Sequence, residues 1–295
     1  MPPGPGADHL PELPEVEYYR RLAERALARP VCEVRAPDAW YLKGGVTASA
    51  LAAALVGNRF TTARRTGKLL LLDTDGGATL GLRFGMTGRL LVTPPTHPRS
   101  RRVLHPIQGP KRAENEGEWG WVGVERLLYS SDREERAWDR FGVDFADGGA
   151  LVMRDPRRLG GVSLDPDESR LGVDAASVTP AGLRRVLEAS GAPLKARLMD
   201  QSRLAGVGNL IADEVLFRAG LDPARPAGGL SPAEIRRLHR HLRQTIDDLV
   251  AGGGSHTGRL MPARTAGGTC PRDGTPLRRT TVGRRTTWSC PRHQR

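Results

Sequence analysis

Apolar residues along this chain recur first at helical spacing, then at strand spacing, then at helical spacing again. Val16, Tyr19, Leu22, Ala23, Ala26 and Leu27 share one face, so the stretch opening with PELPEVE at Pro11 predicts a helix running to about Ala28. Short strand-like runs follow at Val31–Ala36, Phe60–Arg65, Leu69–Thr74, Thr79–Phe84 and Arg89–Thr93, with an alanine-rich helix near Ser49–Val56 that Gly57 closes. Pro94 to about Arg136 breaks the rhythm with Pro, Arg and Glu and reads as a surface insertion holding one strand pair around Trp119–Tyr129. Strands resume at Phe141–Phe145 and Ala150–Arg154, and the polar stretch Leu164–Val178 reads as a linker. Beyond it the period is helical. Thr179-Pro180 supplies an N-cap and first helical residue, and Ser231-Pro232-Ala233-Glu234 fits a capping box for a helix ending at glycines 252–254.

Many short strands with glycine turns predict a β-sandwich or flattened barrel, followed by a helical domain. The expected organisation is a disordered extension over 1–10, a sandwich domain over 11–165, a helical domain over 176–262 and a small hairpin over 266–295. This is an α+β multidomain class. Within the helical domain, LKARLMDQSRLAGVGNLIADEVLFRAG (Leu194–Gly220) places a glycine-bracketed turn before a helix whose apolar residues are Leu210, Ile211, Val215, Leu216 and Ala219. Asn209 stands at the expected N-cap. Two readings of this stretch remain open: a buried helical hairpin, or a helix N-terminus whose unpaired N–H groups receive a phosphate.

Composition favours a polyanionic partner. Lys and Arg total 45 against 33 Asp and Glu, a formal net charge of +12. No apolar run approaches membrane-spanning length and MPPGPGADHL lacks the apolar segment of a secretory signal, so a cytoplasmic location is expected. Three cysteines exclude a disulfide framework, and Cys32 is expected to be a small core residue.

The remaining cysteines carry chemistry. Cys270 and Asp273 form one short pair and Cys290 and His293 another, separated by a strand–turn–strand stretch, which fits one structural zinc ion on a hairpin; two cysteines packed in a basic tail is the alternative. Glu12, Glu15 and Glu17 lie at the start of the first helix, where acids oppose the dipole, and that simple account also stands.

PELPEVE, Lys68 in RRTGKLLLL, FGMTGRL, DPRRLGG, LMDQSRLAGVGNLIADEVLF and GRRTTWSCPRH occur in the order seen in formamidopyrimidine-DNA glycosylases and their endonuclease VIII relatives. The chain resembles that family over nearly all of Pro11–Arg295. The resemblance implies an N-terminal β-sandwich, a helix-two-turn-helix domain and a zinc finger, with double-stranded DNA between the halves. It further implies that Pro11, as an N-terminal secondary amine, attacks the anomeric carbon of a damaged nucleotide to form an iminium. By the same resemblance Glu12 is the acid/base, Glu15 a supporting group, Lys68 the general acid or phosphate contact for β-elimination, and Arg285 the group assisting δ-elimination. Met86, Arg157 and Leu159 fall at the positions that fill the gap left by the extruded base, and Lys195 and Asn209 at phosphate contacts.

The chain departs from the pattern in several places. Leu159 replaces an aromatic wedge, Trp138 stands where a histidine is frequent, Ser190 where a lysine often contacts DNA, and Gly252–Gly268 is shorter and richer in glycine than the lesion-capturing loop. Asp273 replaces a cysteine. The expected function is a monomeric bacterial glycosylase and abasic-site lyase acting on oxidised purines. The alternatives are an oxidised-pyrimidine glycosylase of the endonuclease VIII kind and a non-catalytic binder of damaged DNA. As written, Leu10 acylates Pro11, and Leu10 is what UUG or CUG, codons able to initiate translation, would be read as; a start at position 10 would expose the proline after methionine removal.

Overall fold

Two four-stranded antiparallel sheets share one apolar core in the body of the chain. The structure is a computed structural model that describes residues 11–96 and 135–295, so the expected strand pair at 119–129 lies outside the described residues. The chain divides into two compact units, residues 1–14 with 168–295, and residues 15–167.

In the second of these, α1 (Leu13–Ala23) is followed by a 3-10 turn over Glu24–Ala26, and both end before the expected Ala28. Ala28 takes a left-handed conformation, and Arg29, preceding Pro30, is turned away from helix by the proline ring. Strands β1 (Val31–Arg35), β2 (Phe60–Thr66), β3 (Leu69–Thr74), β4 (Thr79–Arg83), β5 (Arg89–Val92), β6 (Asp139–Phe145), β7 (Ala150–Arg154) and β8 (Gly161–Leu164) form sheets in the orders β2-β3-β4-β8 and β1-β6-β7-β5. Helix α2 (Ala48–Leu55) is capped by the Thr47 hydroxyl. Alternate residues of both sheets, among them Leu70, Leu72, Leu80, Leu82, Val143 and Met153, meet α1 through Val16 and Tyr19 in one core.

Strand β8 falls where the sequence reading placed no strand. Four residues are too few to show a period, and the strand is fixed by its ladder to β4. Cys32 is exposed, against expectation: β1 bulges between Val31 and Glu33, so the residue in the bulge is turned outward, its thiol 3.4 Å from the Asp144 carbonyl.

The other unit is helical. It contains α3 (Pro180–Leu187), α4 (Leu194–Leu198), α5 (Asn209–Ala219) and α6 (Pro232–Ala251) around a core that includes Leu13, Leu183, Leu198, Ile211, Val215, Leu238 and Leu242. Thr179 caps α3 as expected. The stretch read as a linker carries β9 (Val173–Asp174), paired in parallel with β10 (Leu204–Ala205) just before the α5 turn. The hairpin β11 (Arg278–Val282) and β12 (Arg285–Ser289) completes it. Among the described residues no helix is long and apolar enough to cross a membrane.

Ser231 and Glu234 close the expected capping box at α6, each side chain bonded to the other's backbone N–H. The Arg225 guanidinium grips the same carboxylate at 2.6 Å, and that contact together with the Ser231 N–H lowers the Glu234 pKa to about 2 from an ordinary 4.5. A carboxyl depressed by folding contributes stability above its unfolded pKa and loses it as pH falls through the folded one. Glu234→Gln is therefore expected to cost about 1 kcal/mol at neutral pH. In urea titrations, the difference from wild type should shrink as pH drops from 4.5 toward about 2.

Candidate active site and metal cluster

The turn before α5 is built by residues 196 and more positions apart. Gly208, not Asn209, is the N-cap of α5, and its lack of a side chain leaves the first turn's N–H groups without a local acceptor. The acceptor is Glu12. Its carboxylate takes N–H bonds from Gly208 at 3.0 Å, Leu210 at 2.8 Å and Ile211 at 3.0 Å, all buried. The anion site foreseen at this helix start thus exists, but the chain's own carboxylate fills it, and a phosphate does not have these three donors to use. Gly208 is required for the approach: a Cβ there would lie 2.2 Å from Glu12 Cδ. Gly206, at φ 110, turns its carbonyl to accept the Leu13 N–H at 3.2 Å, so the residue after Glu12 is held as well. Pro11 is buried beside it in sequence, and Glu15 is fully buried.

Asn209 is only 2% exposed, and both polar atoms of its amide are buried without a hydrogen-bond partner. Lys195 was expected at a phosphate, but it is fully buried. Its ammonium lies 2.7 Å from Asp213 and donates to the Thr286 carbonyl at 2.9 Å and the Thr287 hydroxyl at 2.8 Å. Asp213, one turn into α5, draws it inward. Arg264 reaches the other Asp213 oxygen at 3.0 Å, and that oxygen also accepts the Trp288 N–H. Burial pushes the Lys195 pKa down and the Asp213 pKa up, while their mutual attraction opposes both shifts. Asp213 was not singled out from sequence; the signal available was an acid on the apolar side of a helix, three residues from Leu210 and Leu216. Arg285, on the first residue of β12, is exposed, and its carbonyl accepts the Thr287 hydroxyl that Lys195 also binds.

In the sheet-bearing unit, Lys68 occupies the β2–β3 turn, half-buried. Met86 is half-buried in the β4–β5 turn, and Arg157 and Leu159 are exposed on the turn between β7 and β8. The residue that holds these last two turns was not singled out from sequence. Asp155, fully buried, accepts the Thr87 hydroxyl at 2.5 Å, the Arg157 N–H at 3.2 Å and the Gly160 N–H at 2.8 Å. The carboxylate thereby ties the residue after Met86 to the loop of Arg157 and Leu159. Trp138 is half-buried, and its carbonyl accepts the Asp155 N–H.

Cys270, Asp273, Cys290 and His293 come together with one ligand atom from each within 4.8 Å of the others. Cys270 Sγ lies 3.6 Å from His293 Nδ1, His293 Nδ1 3.5 Å from Asp273 Oδ2, and Cys290 Sγ 3.5 Å from the same oxygen. Bonds of about 2.0–2.3 Å at a tetrahedral ion place ligands about 3.3–3.8 Å apart, and these three separations match that spacing, so the four residues could hold a metal ion. His293 Nε2 sits 3.2 Å from the Phe217 carbonyl, which leaves Nδ1 on the side of the cluster, and the Thr275 N–H holds the Asp273 carboxyl well below the usual range.

Comparison with known proteins places these features. The sequence model described as formamidopyrimidine-DNA glycosylase N-terminal domain matches residues 10–162, and that of the H2TH domain of the same glycosylase matches 171–259. Similar proteins include the formamidopyrimidine-DNA glycosylase of Chloroflexus aggregans, 30% identical over 96% of this chain and 98% of that one, and that of Thermus thermophilus, 35% identical over 96% and 97%. In fold the chain is similar to the Lactococcus lactis protein Fpg in complex with abasic-site DNA, with TM-score 0.73 at 22% identity over 96% of this chain and 99% of that one.

The buried pair gives a measurable consequence. Lys195→Met leaves Asp213 with Arg264 as its remaining cation, and equilibrium unfolding is expected to show a loss of about 3 kcal/mol. Adding Asp213→Asn to that variant should recover part of the loss, because the stranded charge is then gone.

Proposed function

The chain belongs to the formamidopyrimidine-DNA glycosylase family, and from that premise we propose that it is a bifunctional DNA glycosylase and abasic-site lyase for oxidised bases, with purines such as 8-oxoguanine and formamidopyrimidines preferred. The observation that carries the proposal is the Glu12 carboxylate fixed by three backbone N–H groups at the start of α5, next in sequence to Pro11. That arrangement leaves one carboxylate with a single geometry adjoining a candidate amine nucleophile.

In the proposed reaction the Pro11 nitrogen, as a free secondary amine, attacks the anomeric carbon and the damaged base departs. Glu12 handles the proton at the sugar oxygen or the base. The resulting iminium acidifies the neighbouring sugar carbon, and the phosphates are eliminated in turn, with Lys68 assigned to β-elimination and Arg285 to δ-elimination. The unpartnered amide of Asn209 supports a role in holding a phosphate, since a buried amide left unpaired costs free energy that a phosphate oxygen offsets. Lys195 is better assigned to positioning Asn209's helix and the hairpin than to a phosphate. Met86, Arg157 and Leu159 are assigned to the gap left by the extruded base, supported by the hold that Asp155 keeps on both turns. Glu15 is assigned to supporting the pocket. Cys270, Asp273, Cys290 and His293 would hold one zinc ion, which supplies structural cross-linking of the hairpin that bears Arg285.

Five measurements test this. Borohydride is expected to trap a covalent complex with a duplex containing 8-oxoguanine, together with a native N-terminal mass beginning at Pro11. Absence of the trapped complex with damage-selective binding intact would leave the binding-only reading, and faster release of thymine glycol than of 8-oxoguanine would favour the pyrimidine one. Affinity for a damaged duplex should fall steeply with salt, by a log–log slope set by the number of phosphates met. Metal analysis should find one zinc per chain in the wild type; Cys290→Ser should release it and abolish DNA binding while leaving the two sheets folded.

A further inference from the structure

Trp40 is the most exposed large apolar side chain among the described residues, at 69%, and Leu159 at 49% is the next. Both lie on adjoining segments of the sheet-bearing unit, joined rung by rung. Asp38 receives a two-pronged contact from the Arg158 guanidinium, at 2.6 Å to each oxygen. A Cβ on Gly160 would lie 2.4 Å from Tyr41 Oη, and one on Gly161 would lie 2.6 Å from Lys43 Cγ. Leu42 pairs in parallel with Val162, and the Lys43 N–H reaches the Val162 carbonyl at 2.7 Å. Residues 38–43 and 158–162 therefore run side by side, with Trp40 flanked by the rungs on either side of Leu159.

The backbone of Trp40 is held in place. Asp38 accepts the Trp40 N–H at 3.1 Å, starting the short 3-10 turn Ala39–Tyr41. Lys43 donates to the Trp40 carbonyl at 2.6 Å and places its ammonium 5.0 Å from the ring centroid, so a cation covers one face of the ring. Arg158, which makes the contact to Asp38, takes a left-handed conformation, φ 57. A tryptophan ordered by two charged neighbours yet mostly in water has the form of a binding group rather than of core. Lys43 at its ring and the neighbouring Arg158, paired with Asp38, on a chain carrying +12, suit a polyanion with flat apolar units, which describes a nucleic acid and not a second copy of this chain.

We infer that Trp40 is a base-stacking residue, whose free indole face packs on a nucleobase of the strand opposite the lesion and supplies the aromatic surface that Leu159 does not. The inference rests on the glycosylase reading above, because that reading assigns Arg157 and Leu159 to the gap facing that strand.

The test uses the full chain and a duplex carrying a tetrahydrofuran abasic-site analogue, with 2-aminopurine in the opposite strand beside the analogue. Trp40→Ala is expected to weaken binding on the order of tenfold, and Trp40→Phe to restore most of it, as stacking requires. The 2-aminopurine emission should be dimmer in the wild-type and Trp40→Phe complexes than in the Trp40→Ala complex, a difference that a merely structural role would not produce. Trp40→Ala binding within about twofold of wild type, or unchanged 2-aminopurine emission, would overturn the stacking role alone. A self-associated wild type that Trp40→Ala makes monomeric would overturn it in favour of a second copy. A wild-type chain that does not discriminate the damaged duplex would overturn the glycosylase reading itself, and this inference with it.

Discussion

A helix start buried among apolar residues must find acceptors for its first N–H groups, and in this chain the first turn of α5 finds them in one carboxylate. Glu12 accepts from Gly208, Leu210 and Ile211, and each such bond to a charged group contributes about 1.5–3 kcal/mol where water is excluded. The constraint propagates. Gly208 can carry no side chain, Gly206 must take a positive φ to present its carbonyl to Leu13, and residues 11–14 are consequently bound into the helical unit although α1 continues into the other. The chemistry proposed for Pro11 depends on this, because the proline is placed by the residue after it.

The rest of that unit is arranged along the same helix. Midway, Asp213 meets Lys195 from α4, Arg264 and the Trp288 N–H of β12, so three elements converge on one buried carboxylate. The next residue, Glu214, accepts the Leu260 N–H and pairs with Arg218, and one turn beyond Asp213 the Phe217 carbonyl meets the His293 ring. The exposed Arg285 and the cluster of Cys270, Asp273, Cys290 and His293 are therefore both referred to α5, one through Lys195 and Thr287, the other through His293. A helix that carries the Glu12 site at its start and the hairpin anchors along its length couples the positions of Glu12 and Arg285.

In the sheet-bearing unit Asp155 does for two turns what Glu12 does for one helix. A buried carboxylate with three donors fixes the loops of Met86 and of Arg157 and Leu159, while their side chains stay partly or wholly in water. Rigid backbone with free side chains suits insertion into a stacked duplex, since ordering the loop on binding then costs little.

What the sequence determined by itself is whatever depends on residues a few positions apart. The strands β1 to β7, the Thr179 cap, the Ser231–Glu234 box and the pairing of Cys270 and Asp273 with Cys290 and His293 follow from period, cap chemistry and short spacing, and ordered motifs carried the family. Only the tertiary structure decided the points at which a distant group overrides the local rule. Asn209 is a better cap than Gly208 by propensity, yet Glu12 satisfies the helix start and needs the space that only glycine leaves. Lys195 is expected at a phosphate until Asp213 and Thr287 surround it; Cys32 reads as core until a bulge turns it outward; β8 is invisible until β4 lies beside it. In each case the deciding energy is a hydrogen bond or an ion pair between residues far apart in sequence, and no local pattern records its partner.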